Sequence, residues 1–336
     1  MHKDPLVSVI LLTYNSAKYI GRALSSVHMQ CYKNIEVIVV DAGSVDSSES
    51  IVKSFSGTKW LELPNSDMGM ARNFGLDHSN GSYVMFLDSD DIYLEGKISN
   101  QVRSLNDDKL LDFVVSPAYV MRSLGDNVGI KSWTTGKIDI RSFFQGQCYS
   151  LATLCIRVSA LTENCRFYEQ DAGRYCEDWS FQFRLLLDGL RFEVMPLPSV
   201  LVELREDSHT VWSGQPKMKF VGLEVVKSAL TIIEGSDMDH GISEQSILDN
   251  YRLKLAISYF TNGQISQGRL VIDQISGDLN HYKITLITLS YLIPKFLLIS
   301  LFRNLWMKRQ NSSFEWIVTP VKIKAWLDKH SEHLNY

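Results

Sequence analysis

The chain has 336 residues, 34 Lys+Arg against 38 Asp+Glu and a net charge of −4, with 45% hydrophobic and 21% charged residues. That length accommodates roughly two average domains with a substantial core, in an ordinary globular composition. A fibre and a minimal binding module are excluded, and the charge gives no support to nucleic-acid binding.

From Leu6 to Leu12 the residues are apolar and β-rich, bounded by Pro5 and Asn15, which predicts a buried strand. An amphipathic helix is expected over Ala17 to His28, a second strand over Ile35 to Val40, and a helix over Glu49 to Phe55 after the polar stretch Asp41 to Ser48. The alternation continues with a short strand at Trp60 to Leu63, a helix at Met70 to His78 and an apolar strand at Tyr83 to Leu87. Alternating helices and unbroken apolar strands imply a mostly parallel sheet covered on both faces, an α/β fold. Ligands of such sheets bind beyond the carboxyl ends of the strands. The residues there are Thr13, Tyr14 and Asn15, then Asp41, Ser44 and Asp46, then Asp88 to Asp91, so three strand ends offer one acidic rim.

Between residues 107 and 212 the pattern is mixed, with β-like runs at Phe113 to Val115, Leu151 to Val158, Phe192 to Met195 and Ser199 to Leu204, and a helix at Trp179 to Leu187. After Pro216 it turns helical, over Phe220 to Glu234, Glu244 to Phe260 and Ile265 to Ile275. The division expected is a catalytic domain over 1–212, with a nucleotide-binding half to 106 and an acceptor half from 107 to 212, and an all-helical extension over 213–336. Ile284 to Phe302 is nearly all apolar but is split by Pro294 and Lys295, which favours two interfacial helices over a span; a buried pair in a soluble domain is the alternative. The cysteines contain no C-x-x-C pair, and the N-terminus lacks the features of a signal peptide, so a reduced cytoplasmic location, peripheral on the inner face of the cell membrane, is expected.

Asp88-Ser89-Asp90 follows a buried strand. Residues two apart in extended chain project to one side, so both carboxylates can face one hard cation, Mg2+ or Mn2+. By itself D-x-D also occurs in ordinary surface turns. A second pair, Glu177-Asp178, precedes the helix from Trp179, where Asp178 can cap the helix or, held ionised by the helix dipole, take a proton.

Four segments together resemble the family 2 glycosyltransferases of GT-A fold. They are Val7-Ser8-Val9-Ile10-Leu11-Leu12-Thr13-Tyr14-Asn15, Glu36-Val37-Ile38-Val39-Val40-Asp41-Ala42-Gly43-Ser44-Val45-Asp46, Gly69-Met70-Ala71-Arg72-Asn73-Phe74-Gly75-Leu76 and Phe86-Leu87-Asp88-Ser89-Asp90-Asp91. The family usually carries a second Asp where Ala42 stands. The resemblance implies donor contacts from Thr13, Tyr14, Asn15, Asp41, Ser44, Arg72, Asn73 and Asp88, with Thr13 and Asp41 at the base. It implies a metal on Asp90 and Asp88, Asp178 as the base, Arg205 on the diphosphate, and His209 or Asp207 as a further metal ligand. The expected activity is inverting, metal-dependent transfer of a sugar from a nucleoside diphosphate sugar, taken to be a UDP-sugar, to a saccharide hydroxyl in surface polysaccharide assembly. The expected membrane contact suggests a lipid-linked acceptor. A nucleotidyltransferase would be expected to carry a Gly- and Lys/Arg-rich loop after the first strand, which is absent here. A non-catalytic assembly partner would have no need of Asp41, Asp88, Asp90 and Asp178 together.

Overall fold

The first strand, β1 (Val7–Thr13), is apolar at nearly every position because both of its faces are covered. Val7, Val9 and Leu11 join Ile20, Leu24 and Val27 of helix α1 (Ala17–His28) in one buried cluster. Ile10 enters the opposite cluster with Ala71 of α3 (Met68–Asp77) and Phe181 and Leu185. In this computed structural model the described residues are 4–121, 128–131, 138–144, 148–167, 176–203, 216–234, 243–276 and 314–317.

β1 pairs in parallel with β2 (Ile35–Asp41) and β4 (Tyr83–Asp88), and β2 with β3 (Thr58–Glu62), while α2 (Ser48–Lys53) connects β2 to β3. The register sets Thr13 opposite Asp41 and Leu12 opposite Asp88. Three neighbouring strands therefore end at one level. Gly75 of α3 lets the helix lie directly on the sheet, since a Cβ there would stand 2.5 Å from Ile10 Cγ2.

The chain then departs from a purely parallel plan. After β5 (Ile92–Tyr93) comes α4 (Lys97–Asp107), whose Ile98, Val102 and Leu105 are spaced for one buried face. β6 (Phe113–Val115) and β10 (Phe192–Val194) extend the sheet, with β9 (Cys155–Arg157) inserted antiparallel between β4 and β6. The strand expected over Leu151 to Val158 thus begins as a 3-10 turn at Leu151–Thr153 and pairs only from Cys155. A second sheet, order β12-β8-β7-β11-β5, adds β7 (Ala118–Met121), β8 (Val128–Lys131), β11 (Val200–Glu203) and β12 (Phe314–Ile317). β12 corrects the expectation of an all-helical extension at one element, because its backbone pairs antiparallel with β8.

Helices α5 (Ile140–Phe144), α6 (Glu177–Leu187), α7 (Pro216–Glu234), α8 (Glu244–Thr261) and α9 (Ile265–Asp273) complete the description. α8 and α9 form a hairpin around Asn262 and Gly263, with Gly263 at a left-handed φ of 76°. Among the described residues no helix is long and apolar enough to cross a membrane. The segment 284–302 lies outside them.

Candidate active site

At the ends of β1 and β2 two loops are sewn together. Asp41, buried, accepts from the backbone N–H groups of Gly43 at 3.1 Å and Ser44 at 2.9 Å and from Ser44 Oγ at 2.5 Å. Gly43 takes a φ of 101° that L side chains rarely adopt, which closes this turn. Asn15, itself left-handed at φ 48°, donates its N–H to Ser44 Oγ and accepts from Val45 N–H. Asp46 accepts from the N–H of Ala17 at the start of α1, across from its own loop. Tyr14 stands 63% exposed at the rim. Thr13 is only 3% exposed, and its hydroxyl has no hydrogen-bond partner among the described residues. Buried polar groups are normally bonded, and this exception lies at the position of β1 that pairs with Asp41 of β2.

The acidic turn after β4 is fixed by its own backbone and by neighbours. Asp91 N–H donates to Asp88 carbonyl at 3.0 Å, and Ser89 Oγ donates to Ser16 Oγ at 2.8 Å, tying the turn to the loop after β1. The side chain of Asp88 remains 46% exposed, and Asp90 is half-buried.

Arg72 of α3 reaches across to two carboxylates that the sequence separates widely. Its guanidinium, 3% exposed, donates to Asp88 Oδ1 at 3.0 Å and to Glu177 Oε1 at 2.6 Å. Glu177 is the first residue of α6 and is also buried. Burial opposes the charge on Arg72, but Asp88 and Glu177 outweigh it and hold the guanidinium ionised. For Glu177, burial and then the neighbouring Asp178 push the carboxyl above its ordinary range, against the downward pull of Arg72. Asp178 follows half-buried, with its Oδ1 accepting from the N–H of Trp179 at 2.7 Å, so its carboxylate sits at the helix N-terminus. Asn73, next to Arg72, is turned inward: its side-chain amide donates to and accepts from the backbone of Phe167, at 3.0 and 2.9 Å. The structure thus brings Asp88, Arg72 and the Glu177–Asp178 pair together, with Thr13 and Asp41 on the adjoining strand ends. Arg205, Asp207 and His209 lie outside the described residues.

Among the described residues no three or more His, Cys, Asp or Glu side chains gather into a metal cage. Asp88 and Asp90 are nonetheless hard oxygen donors that leave coordination positions open. This suits Mg2+ or Mn2+, which are commonly held by one or two carboxylates with substrate phosphates supplying further ligands. The residue set fits such an ion. The glutamate-to-arginine pairing could not be read locally, because its partners lie 105 positions apart.

Residues 8–159 match the sequence profile described as Glycosyl transferase family 2. An uncharacterized glycosyltransferase of Rickettsia prowazekii is 28% identical over 281 residues, 76% of this chain and 85% of that protein. The Escherichia coli protein WfaP, named UDP-Glc:alpha-D-GlcNAc-diphosphoundecaprenol beta-1,3-glucosyltransferase, is 35% identical over 118 residues, 34% of this chain and 47% of its own. Among solved structures, S. aureus TarS 1-349 in complex with UDP-GlcNAc superposes with a TM-score of 0.61 at 21% identity, covering 89% of this chain and 92% of that one. The mannosyltransferase PcManGT from Pyrobaculum calidifontis, in complex with GDP-Man and Mn2+, gives 0.56 at 15% identity over 90% and 85%. At such identities the structural likeness carries the fold.

Proposed function

The chain belongs to the family 2 glycosyltransferases and has their GT-A fold, and from that premise we propose that it moves a sugar, with inversion, from a UDP-sugar to a hydroxyl of a lipid-linked saccharide in surface polysaccharide assembly. The observation that carries the reading is the Arg72 bridge, which joins the carboxylate at the end of β4 to the acidic pair opening α6. On this reading the donor-side carboxylate and the proton acceptor share one fixed frame. The UDP-GlcNAc complex of TarS and the lipid-linked acceptor in the name of WfaP support the choice of donor and acceptor classes.

Thr13 and Asp41 receive the base, with Tyr14, Asn15, Ser44 and Asn73 shaping the loops and helix around it. Asp88 and Asp90 would hold Mg2+ or Mn2+, which when bound supplies positive charge against the departing diphosphate; the Mn2+ complex of PcManGT supports this assignment. His209 is assigned beside them and Arg205 to the diphosphate, where a guanidinium can bind two oxygens at once. Asp178 takes the proton of the acceptor hydroxyl as its oxygen attacks the anomeric carbon, while the bond to the diphosphate breaks on the opposite face. Fixing both substrates in this geometry contributes to the rate by orientation. Peripheral contact through 284–302 would bring the enzyme to a lipid-linked acceptor.

The test is a binding and turnover panel of nucleotide sugars with and without Mn2+, on wild type, Asp90→Asn and Asp178→Asn. Wild type should bind a UDP-sugar with Mn2+, Asp90→Asn should lose the metal-dependent part, and Asp178→Asn should bind donor yet lose transfer. Absence of nucleotide-sugar binding under every condition overturns the proposal, and undiminished turnover by Asp178→Asn removes that residue as base.

A further inference from the structure

A buried cation lies under the acidic turn. Arg22, on α1, is 4% exposed and packs 5.0 Å from the Tyr19 ring centroid. Its Nη2 donates to the backbone carbonyl of Asp90 at 3.2 Å and to the carboxylate of Glu203. Glu203 closes β11, which runs antiparallel to β5 with Leu201 opposite Ile92.

We infer that Arg22 is the positioning residue for the Asp88–Asp90 turn, holding Asp90 toward a divalent cation while locking the turn to the end of β11; this rests on the metal assignment proposed above. Two physical points support it. A hydrogen bond from a charged donor to the Asp90 carbonyl fixes the plane of the peptide that carries this residue, and charge-assisted bonds are roughly twice as strong as neutral ones. With Ser16 holding Ser89 and the backbone bond from Asp91 to Asp88, the turn is then fixed at successive residues. A lone guanidinium so close would repel a metal ion, yet pairing with Glu203 leaves the two side chains neutral together, so Arg22 can orient the turn without opposing the ion.

Groups that orient metal ligands from behind typically cost about 10–100-fold in metal affinity when removed. The experiment titrates Mn2+ in the presence of UDP, following free Mn2+ by electron paramagnetic resonance, and separately measures UDP binding without metal. Wild type, Arg22→Met, Arg22→Lys and Glu203→Gln are compared, the last being isosteric and expected to keep the fold. Arg22→Met should weaken Mn2+ uptake by about 10–100-fold, Arg22→Lys should recover part of it, and Glu203→Gln should weaken it less than Arg22→Met, with metal-free UDP binding unchanged in all of them. Mn2+ affinity at the wild-type level in both Arg22→Lys and Glu203→Gln overturns the inference, as does an equal loss of UDP affinity with and without metal. If the wild-type chain itself takes up no Mn2+, the metal assignment falls and this role for Arg22 falls with it.

Discussion

Replacing Arg72 by methionine withdraws the cation from two carboxylates in unequal surroundings, which sets the size of the effect. Asp88 is 46% exposed, so losing its pair costs about 0–1 kcal/mol, as for surface pairs. Glu177 is 5% exposed and 2.6 Å from the guanidinium. Breaking a buried pair by removing one partner costs about 3–5 kcal/mol, because the remaining charge is left uncompensated. The variant should therefore lose about 3–5 kcal/mol above neutral pH, where the wild-type carboxylate is ionised beside Arg72, a fall in Tm on the order of 10 °C.

The pH dependence has a definite sign. Burial already raises the Glu177 carboxyl, and Arg72 is what pulls it down; without Arg72 it rises further. A carboxyl raised in the native state makes the unfolded chain the better acid, so stability falls as pH climbs from the unfolded value toward the native one. At pH 5 Glu177 is protonated in the variant and the deficit shrinks. Thermal melts of wild type, Arg72→Met, Glu177→Gln and the double variant at pH 5 and pH 8 provide the assay. The double variant should recover most of the loss at pH 8. A double variant no more stable than Arg72→Met, or a deficit that widens toward pH 5, refutes the buried-charge account.

Two further outcomes are expected. Lys97, 1% exposed, donates to Gln101 Oε1 at 2.6 Å, and burial lowers its ammonium to about 7; between pH 7 and about 10 the unfolded chain holds a proton the native chain has lost, so wild type should gain on the order of 3–5 kcal/mol relative to Lys97→Met across that window, and parallel Tm curves would count against it. Gly75→Ala would place a Cβ 2.5 Å from Ile10 Cγ2 and 3.3 Å from Val40 Cγ2; overpacking costs about 1–3 kcal/mol against roughly 1 kcal/mol of helix propensity gained, so a urea titration should show net destabilisation, and a more stable variant contradicts the close α3 contact.

Much of the parallel part of the sheet was legible because its signals are local. β1, β2 and β4 are covered on both faces, so they read as unbroken apolar runs, and Thr13, Asp41 and Asp88 are where those runs end in polar residues. α1 was bounded as found, from Ala17 to His28. α4 went unassigned although its apolar spacing was present, for its start is Gly96 in a left-handed conformation with no side-chain cap to announce it. The second sheet was invisible for another reason: β5 is two residues long and its partner β11 lies over a hundred positions away, so no periodicity could develop. At the site, residue types were legible and pairings were not. That Asn73 grips the backbone of Phe167 while its neighbour Arg72 spans two carboxylates is decided by how α3 lies between the sheet and α6.

Helices α7 and α8 are not separated mechanically from the site. α6 is apolar on two sides. Phe181 and Leu185 pack into the sheet's cluster, where Phe181 stacks 4.1 Å from Phe167. Trp179 and Phe183 face the other way, into a cluster with Val221, Val225 and Val226 of α7 and Ile247, Tyr251 and Leu255 of α8. Trp179, the residue after Asp178, lies between Phe143 at 4.3 Å and Tyr251 at 5.6 Å, nearly parallel to both. A helix held on one face alone can rock about that contact, and a displacement of about 1 Å at a reacting group can cost on the order of a hundredfold in rate. Held on both faces, the N-terminus of α6 has a fixed height above the strand ends, and Arg72 pins it there through Glu177. The helical layer therefore contributes to where Asp178 stands, through Tyr251 and Trp179.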